Sequence, residues 1–398
     1  MKESLSKSRR ILFLIAVMLS NIAVMGDMVI YPITNSLYQT FPESGGVVNY
    51  ILSGPPLLLL LMSLATPLLL RYTTKRKLLI LGSLLFTIGS VCGVLFVNAA
   101  WMAAMRSLVG IGQGIINVCA VALIGEVYVE EKLRSRYIGF FNASMNVVGM
   151  IFASLAGVLA STYKWESVFL LYLSSIPMLV MVILFVPELG KEEGGQQADA
   201  AAGKEKQKFG MDFWEMILTF FLLDTLCMVS SYFMSVYVSE NALGTETLTG
   251  TATSLGQIAS FLLAMVFGQI FMKLKRGTSI LGFAMGIVAF GGWYLLEGPM
   301  VVYLVYIVQC MAYLLIFTYC YAQAPSLVPA SRVDMAIGIV TATYGIASFV
   351  STYVVTLVMD LMGTDRFSDT LIVWALIAVL TFVIDLGYCL IRRSPKTA

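Results

Sequence analysis

The chain has 398 residues, of which 59% are apolar and 12% charged, and its formal net charge is +2. This composition excludes a soluble domain with a solvated surface, and the small positive charge gives no indication of nucleic-acid binding. The sequence contains no histidine. The usual metal ligand and near-neutral proton carrier is therefore missing, and any proton chemistry must use carboxylates.

Apolar segments long enough to cross a membrane follow one another along the whole chain. A helix needs about 20 apolar residues to cross the hydrocarbon core, and twelve segments come close to that length. They lack the alternation of a membrane barrel, so we predict an all-α membrane protein with twelve transmembrane helices. The predicted spans are 11–31, 47–70, 78–97, 102–125, 138–160, 168–187, 213–238, 248–272, 278–296, 300–324, 335–359 and 370–391.

Lys and Arg residues cluster in every second gap between these spans, where 22 of the 25 are found. Short loops rich in cations stay on the cytoplasmic side of a membrane. We therefore expect both termini in the cytoplasm and a multi-pass protein of the bacterial cytoplasmic membrane. Arg106 is the one cation well inside a predicted span.

One stretch interrupts the apolar pattern, because residues 188–211 are rich in Gly, Gln, Ala, Lys and Glu. This composition predicts a flexible cytoplasmic linker between six-helix bundles at 1–187 and 212–398. Buried acids recur at Asp27 and Asp224, and basic clusters follow spans 2 and 8 at similar spacing. Two pseudo-symmetric halves with a site between them near the midplane are typical of a rocking transporter.

The sequence predicts neither a cofactor nor catalysis. All six cysteines lie in predicted spans without the spacing of metal ligands, and we interpret them as packing residues. The glycine-rich stretch at 110–114 lies inside a membrane helix and follows no strand, so it is not a dinucleotide fingerprint. No nucleotide motif or catalytic constellation is present, so we expect no enzyme and energy from an ion gradient.

Asp27 and Arg106 are predicted to face each other. Asp27 is ~24 Å along span 1, and span 4 runs in the opposite direction, which places both residues ~6 Å below the outer surface. A charge inside a membrane is costly unless it is paired or hydrated. We interpret the two as a proton-coupling pair; a static ion pair joining spans 1 and 4 is the alternative.

Asp224 lies near the middle of span 7 with no cation at matching depth. A lone carboxylate at the membrane centre is expected to be protonated, which suits a proton carrier or a site for a cationic substrate. A neutral Asp bonded to a neighbouring helix is an equally good interpretation.

Further polar and aromatic side chains inside the spans are candidates for binding substrate. They share helical spacing with the buried charges or with one another, although each can equally join helices. The candidates are Gln113, Asn117, Asn142, Asn146, Tyr232, Gln257, Tyr306 and Tyr313.

Three motifs in this order resemble the major facilitator superfamily, and within it the twelve-span drug:proton antiporters. Asp27-Met-Val-Ile-Tyr-Pro32 is similar to the Asp-Met-Tyr-Leu-Pro signature of span 1. Arg106-Ser-Leu-Val-Gly-Ile-Gly112 is similar to the Arg-x-x-x-Gly-x-Gly stretch of span 4, and Trp165-Glu-Ser-Val-Phe169 to the Trp-Arg-x-x-Phe that opens span 6. The resemblance implies proton-coupled efflux of a drug or metabolite by alternating access.

Two other regions depart from the family pattern. The loop after span 2 keeps the cations at 71–77 but lacks the family's Asp and both Gly, and its copy near 268–276 has Met272 in place of the Asp. Span 5 has Ala153-Ser154 where antiporters carry Gly-Pro.

These departures leave two alternatives open. One is uptake or exchange of an organic anion with Arg106 as the clamp. The other is a non-transporting sensor on the same fold. The expected partners are a small-molecule substrate, protons and the lipid bilayer, and we expect a monomer.

Overall fold

The computed structural model describes residues 7–128, 130–188, 209–329 and 332–393. Within these ranges all regular secondary structure is helical. The residues form two compact units that divide at residue 203. Most of the predicted linker falls on residues 189–208, which lie outside the described ranges, so its flexibility stays a prediction.

The first unit contains eight α-helices in its described part, some of them joined through 3-10 turns into longer spans. Their bounds are α1 Lys7–Leu19, α2 Asn21–Val24, α3 Thr34–Thr40, α4 Gly45–Leu69, α5 Lys75–Val91, α6 Ala99–Val127, α7 Glu131–Thr162 and α8 Ser175–Phe185. A 3-10 segment at Trp165–Ser174 precedes α8 and continues into it.

The second unit contains six α-helices in its described part, and each of them is long. Their bounds are α9 Met211–Glu240, α10 Glu246–Leu274, α11 Gly277–Leu295, α12 Pro299–Gln323, α13 Val333–Met362 and α14 Leu371–Arg393. Short 3-10 turns at Ala324–Leu327 and Phe367–Thr370 flank α13.

Eleven helical segments of the described chain are long and apolar enough to cross a membrane. The number rises to twelve if the bent pair Ser8–Val24 and Gly26–Thr40 is counted as one span. The eleven straight segments match the eleven later predicted spans, with ends that differ by a few residues. The prediction of an all-α membrane protein with many spans is confirmed.

The first span differs from its prediction. We predicted a single helix over 11–31, but helical structure continues to Thr40 and bends by 49° after Val24. Two 3-10 turns, Gly26–Val29 and Tyr31–Ile33, fill the bend. Pro32 has no backbone N–H to donate, which favours an irregular helix here. Asp27 therefore lies at a break in the interior of the span and not near its outer end.

Glycines allow α6 to pack closely against two neighbouring helices. A Cβ at Gly110 would lie 2.6 Å from the carbonyl oxygen of Pro55, and one at Gly114 would lie 2.5 Å from that of Leu59, both on α4. A Cβ at Gly112 would lie 2.6 Å from the carbonyl oxygen of Gly82 on α5. No Cβ atom is tolerated at such distances. The backbone of α6 is thus fixed against α4 and α5, which sets the position of Arg106.

Candidate functional site

An ion pair between Asp27 and Arg106 lies inside the first unit. Nη2 of Arg106 is 2.5 Å from Oδ1 of Asp27, and the two side chains are 4% and 13% exposed. The break in the first span presents Asp27 towards α6, which carries Arg106. A buried charge pair of this kind is stable only when its remaining polar atoms are also satisfied.

Gln113 and Ile51 complete the surroundings of this pair. Nε2 of Gln113 donates to Oδ2 of Asp27 at 3.3 Å and to the carbonyl oxygen of Ala23 at 3.0 Å. Nε of Arg106 donates to the carbonyl oxygen of Ile51 at 2.9 Å. Both carboxylate oxygens of Asp27 therefore have a donor from α6, while Arg106 also binds α4. Spans 1, 2 and 4 meet at one charged centre.

Tyr172 is a third residue at the break, and sequence reasoning missed it. Its hydroxyl donates to the carbonyl oxygen of Gly26 at 2.9 Å, and its ring is 1% exposed. A Cβ at Gly26 would lie 2.9 Å from the ring of Phe86, which would have to shift to admit one. Tyr172 thus supports the backbone next to Asp27. Its partner is 146 residues away along the chain, and no local pattern indicates the contact.

Asn21 was also missed, although it is fully buried in the same span. Its Nδ2 donates to the carbonyl oxygen of Phe141 at 2.8 Å and to Oγ of Ser144 at 2.6 Å. The first span is therefore joined to α7 one and a half turns before Asp27. An asparagine in an apolar run was the available signal.

Three other predicted binding residues of the first unit take no part in this charged centre. Asn142 is exposed, and Nδ2 of Asn146 donates to the carbonyl oxygen of Asn142 on the same helix at 3.1 Å. Asn117 is half-buried and forms no hydrogen bond with the described residues. Of the polar stripe predicted on α6, the structure joins Arg106 and Gln113 at Asp27 and leaves Asn117 apart.

Asp224 lies in the middle of α9, and its side chain is completely buried. Neither carboxylate oxygen has a hydrogen-bond partner among the described residues. Cys227, Tyr313 and Cys320 lie within electrostatic range of it. Its surroundings are thus apolar or weakly polar, in contrast to the cation and amide that hold Asp27. One of our two interpretations was a neutral Asp that is bonded to a neighbouring helix. Among the described residues, the structure does not contain the hydrogen bond that this interpretation requires.

The aromatic candidates of the second unit pack around α9 and α12. The hydroxyl of Tyr306 lies 3.2 Å from Oγ of Ser231, and Tyr306 is 3% exposed. Tyr313 is half-buried and contacts the ring of Phe317. Tyr232 is fully buried, Gln257 is half-buried, and both have interaction partners in the structure. Tyr313 lies within electrostatic range of Asp224.

Gln309 on α12 is a buried polar residue that sequence reasoning overlooked. Its Nε2 donates to the carbonyl oxygen of Cys227 at 3.2 Å, and its Oε1 accepts from Nε1 of Trp293 at 3.1 Å. It therefore joins α9, α11 and α12 one turn beyond Asp224. The donor from Gln309 goes to backbone and not to the neighbouring carboxylate.

Comparison with known proteins identifies the family. The sequence profile of the Major Facilitator Superfamily matches residues 15–352. The chain belongs to the major facilitator superfamily. Both charged centres, at Asp27 and at Asp224, lie within the matched range, and the resemblance that the motifs indicated is confirmed.

Characterised and uncharacterised transporters are among its relatives. It is 27% identical over 292 residues to an uncharacterized MFS-type transporter of Mycobacterium tuberculosis, covering 70% of this chain and 39% of the relative. It is 29% identical over 177 residues to the methyl viologen resistance protein SmvA of Salmonella typhimurium, covering 44% of this chain and 35% of that protein. The multidrug resistance protein Stp of Mycobacterium tuberculosis matches at 28% over 109 residues, 27% of this chain and 20% of its own length. The chain thus spans about two fifths or less of these relatives.

Solved structures share the fold at low sequence identity. A bacterial homolog of the human lysosomal transporter Spinster, in an inward-facing and occupied conformation, gives a TM-score of 0.76 at 15% identity and covers 96% of this chain and 97% of its own. A D-xylose–proton symporter gives 0.74 at 14% identity, with coverage of 94% and 97%. These solved structures therefore share the fold of this chain over nearly its whole length.

Proposed function

We propose that this protein is a secondary active transporter that exports a small, amphipathic organic compound in exchange for protons. Asp27 and Asp224 are the two proton-binding groups, one in each unit. Arg106 competes with the proton for Asp27. No nucleotide is needed, because the proton gradient supplies the energy.

The observation that carries this proposal is the opposite environment of the two buried acids. The carboxylate of Asp27 has a cation and an amide as partners, Arg106 and Gln113. Asp224 is buried with no donor in the described chain, and an ionised carboxylate there has nothing to replace its lost hydration. In this conformation Asp27 is therefore prepared to lack a proton and Asp224 to hold one. A change of conformation that exchanged these environments would move protons.

The geometry favours a proton role for Arg106 over the anion clamp. Nη2 of Arg106 is bound to Asp27, and Nε is bound to the carbonyl oxygen of Ile51. An organic anion would have to displace the carboxylate of Asp27 and leave it buried without its counterion. That substitution is costly, whereas protonating Asp27 releases Arg106 with no uncompensated negative charge.

The substrate class follows from the second unit and from the relatives. Tyr313 and Tyr321 lie within electrostatic range of Asp224, and a buried carboxylate together with aromatic side chains suits a lipophilic cation. The names of two relatives, a multidrug resistance protein and a methyl viologen resistance protein, agree with such a substrate. Tyr306, Tyr232 and Gln257 are further proposed contacts, together with Gln113, Asn117, Asn142 and Asn146.

We further propose the arrangement in the membrane. The described helices account for eleven or twelve spans, and an even number agrees with the cations found in every second gap. Both termini then face the cytoplasm, and the units before and after the linker act as two related halves. The proposed location is the bacterial cytoplasmic membrane, and the working unit is a monomer.

Purified protein in liposomes provides the test. A pH gradient is imposed, candidate cations including methyl viologen are added one at a time, and the internal pH is followed with an entrapped dye. We expect substrate-dependent proton movement that Asp27→Asn and Asp224→Asn each reduce by at least tenfold. Glu297→Gln, which changes an exposed acid, is the matched control and keeps the wild-type rate.

Normal coupling in both Asp variants would refute the assignment of protons to these residues. Substrate binding without any proton or substrate flux would favour the sensor. If a carboxylate compound is transported and Arg106→Ala abolishes its binding, the organic-anion alternative is correct.

A further inference from the structure

A second group of buried acids lies at the first turns of α9, distant along the helix from Asp224. Glu215 on α9 and Asp385 on α14 both line a pocket that is also lined by Arg276, the residue before α11. Both acids lie near the ends of their predicted spans, 213–238 and 370–391. The structure places both carboxyl groups in the lining of this one pocket, within interaction range of each other.

The charges in this pocket do not balance. Nη2 of Arg276 is 2.9 Å from Oε2 of Glu215. Oγ of Ser279 donates to Asp385, 3.2 Å from Oδ1 and 3.1 Å from Oδ2. Asp212, on α9, also lines the pocket and accepts a hydrogen bond from the hydroxyl of Tyr388 at 2.8 Å. With every acid ionised, three carboxylates would face one guanidinium.

The remaining titratable groups do not offset this excess. Tyr319 and Cys320 on α12 face the acids, as does Cys389 on α14 towards Arg276, and none of them is a cation. Burial lowers the pKa of Arg276, but Glu215, Tyr319 and Asp385 raise it, and the net direction is upward. The groups around Arg276 therefore carry an excess of negative charge.

One carboxylate oxygen in the pocket indicates that a hydrogen-bond donor is missing there. The side chain of Glu215 is 8% exposed, and its Oε1 has no hydrogen-bond donor among the described residues. Asp385 is 3% exposed. Two buried carboxylates within interaction range repel each other, and a proton held between them removes the repulsion and supplies the absent donor.

We propose that Glu215 and Asp385 form a proton-binding site that holds one shared proton between two carboxyl oxygens. Arg276 and Ser279 stabilise the single remaining negative charge of the pair. The ligand is the proton itself. A monovalent metal cation would require the same excess negative charge in the pocket, and the test below distinguishes it from the proton.

The position of this site gives it a role in the proposed proton transport. Only this step of the inference rests on the proposed function. Glu215 and Asp224 are nine residues apart on α9, or ~13 Å along the helix axis. Cys320 lies within electrostatic range of Glu215, Asp385 and Asp224 together. Arg276 belongs to a loop rich in Lys, which we assign to the cytoplasm. The pair is therefore placed to receive or deliver the proton of Asp224 on the cytoplasmic side.

Infrared titration of the purified protein in lipid nanodiscs tests the shared proton without substrate or gradient. We expect a C=O band of a protonated carboxyl group that disappears as the pH is raised. Glu215→Gln and Asp385→Asn should each remove this same band completely. Asp224→Asn should leave it in place, and Glu297→Gln serves as the exposed control.

Ser279→Ala provides a variant that keeps both carboxyl groups and the fold. The hydroxyl of Ser279 stabilises ionised Asp385, so its loss should move the midpoint of the band to higher pH. A spectrum in which neither Glu215→Gln nor Asp385→Asn removes a titrating band overturns the proposal. A wild-type midpoint that changes when sodium replaces choline in the buffer overturns it in favour of a cation site. Because no transport is measured, failure of this proposal and failure of the transport proposal are distinguishable.

Discussion

At the scale of single residues, Asp27 and Asp224 are chemically identical side chains with opposite surroundings. Asp27 has a guanidinium at 2.5 Å and an amide at 3.3 Å. Asp224 is fully buried, and its oxygens have no hydrogen-bond partner in the described chain. The same conservative substitution should therefore affect the two positions differently.

We predict that Asp27→Asn lowers the free energy of unfolding by about 3 kcal/mol, because it leaves Arg106 buried without its counterion. Asp224→Asn should change it by less than about 1 kcal/mol, since an amide then replaces a carboxyl group that we propose to be neutral. Thermal unfolding of both variants in detergent measures the difference. Equal destabilisation by the two substitutions would show that the acids share one ionisation state.

A double-mutant cycle tests the ion pair itself. Arg106→Met should destabilise the protein by about 3–5 kcal/mol, because Asp27 is then an uncompensated buried charge. Adding Asp27→Asn to Arg106→Met should recover part of that loss. Strictly additive effects of the two substitutions would contradict a direct interaction.

The sequence predicted some of these residues and not others, for a physical reason. Charges are rare in spans and costly there, so Asp27, Arg106 and Asp224 stand out without a structure. Tyr172, Asn21 and Gln309 bind backbone carbonyl groups that are 146, 120 and 82 residues away. Every residue has such a carbonyl group, and only the packing of helices decides which one is reached.

At the scale of helices, hydropathy predicted where the spans lie because length and apolarity are set by the bilayer. It did not predict the bend of 49° in the first span. Gly26 and Pro32 lie in an apolar run and leave the hydropathy unchanged. Whether such residues break a helix depends on neighbours such as Phe86, whose ring would have to shift to admit a Cβ at Gly26.

We predict that Gly114→Ala destabilises the first unit by about 1–3 kcal/mol, since the new Cβ would lie 2.5 Å from the carbonyl oxygen of Leu59 and α6 must move. Gly139→Ala on α7 is the matched control, because no atom lies within 4 Å of its Cβ position. Alanine favours a helix over glycine, so the control should keep or slightly raise stability. Unfolding midpoints that fall equally in both variants would argue against close packing of α4 and α6.

At the scale of the whole molecule, the distribution of cations predicts the orientation in the membrane. We expect Arg71→Cys to be protected from a membrane-impermeant maleimide in intact cells and Lys164→Cys to react. The wild type, with its six free cysteines, gives the background. Labelling of Arg71→Cys before the cells are permeabilised, with Lys164→Cys protected, would reverse the proposed topology.

The most direct test of the central claim is the release of protons on binding. Purified wild-type protein in weakly buffered detergent solution is mixed with a transported cation, and the pH of the solution is recorded. Competition between cation and proton at Asp224 predicts acidification by the wild type and by Asp27→Asn, since Asp27 is paired with Arg106 in the wild type, and no acidification by Asp224→Asn. An Asp224→Asn variant that binds the cation and releases as many protons as the wild type would contradict proton coupling through this residue.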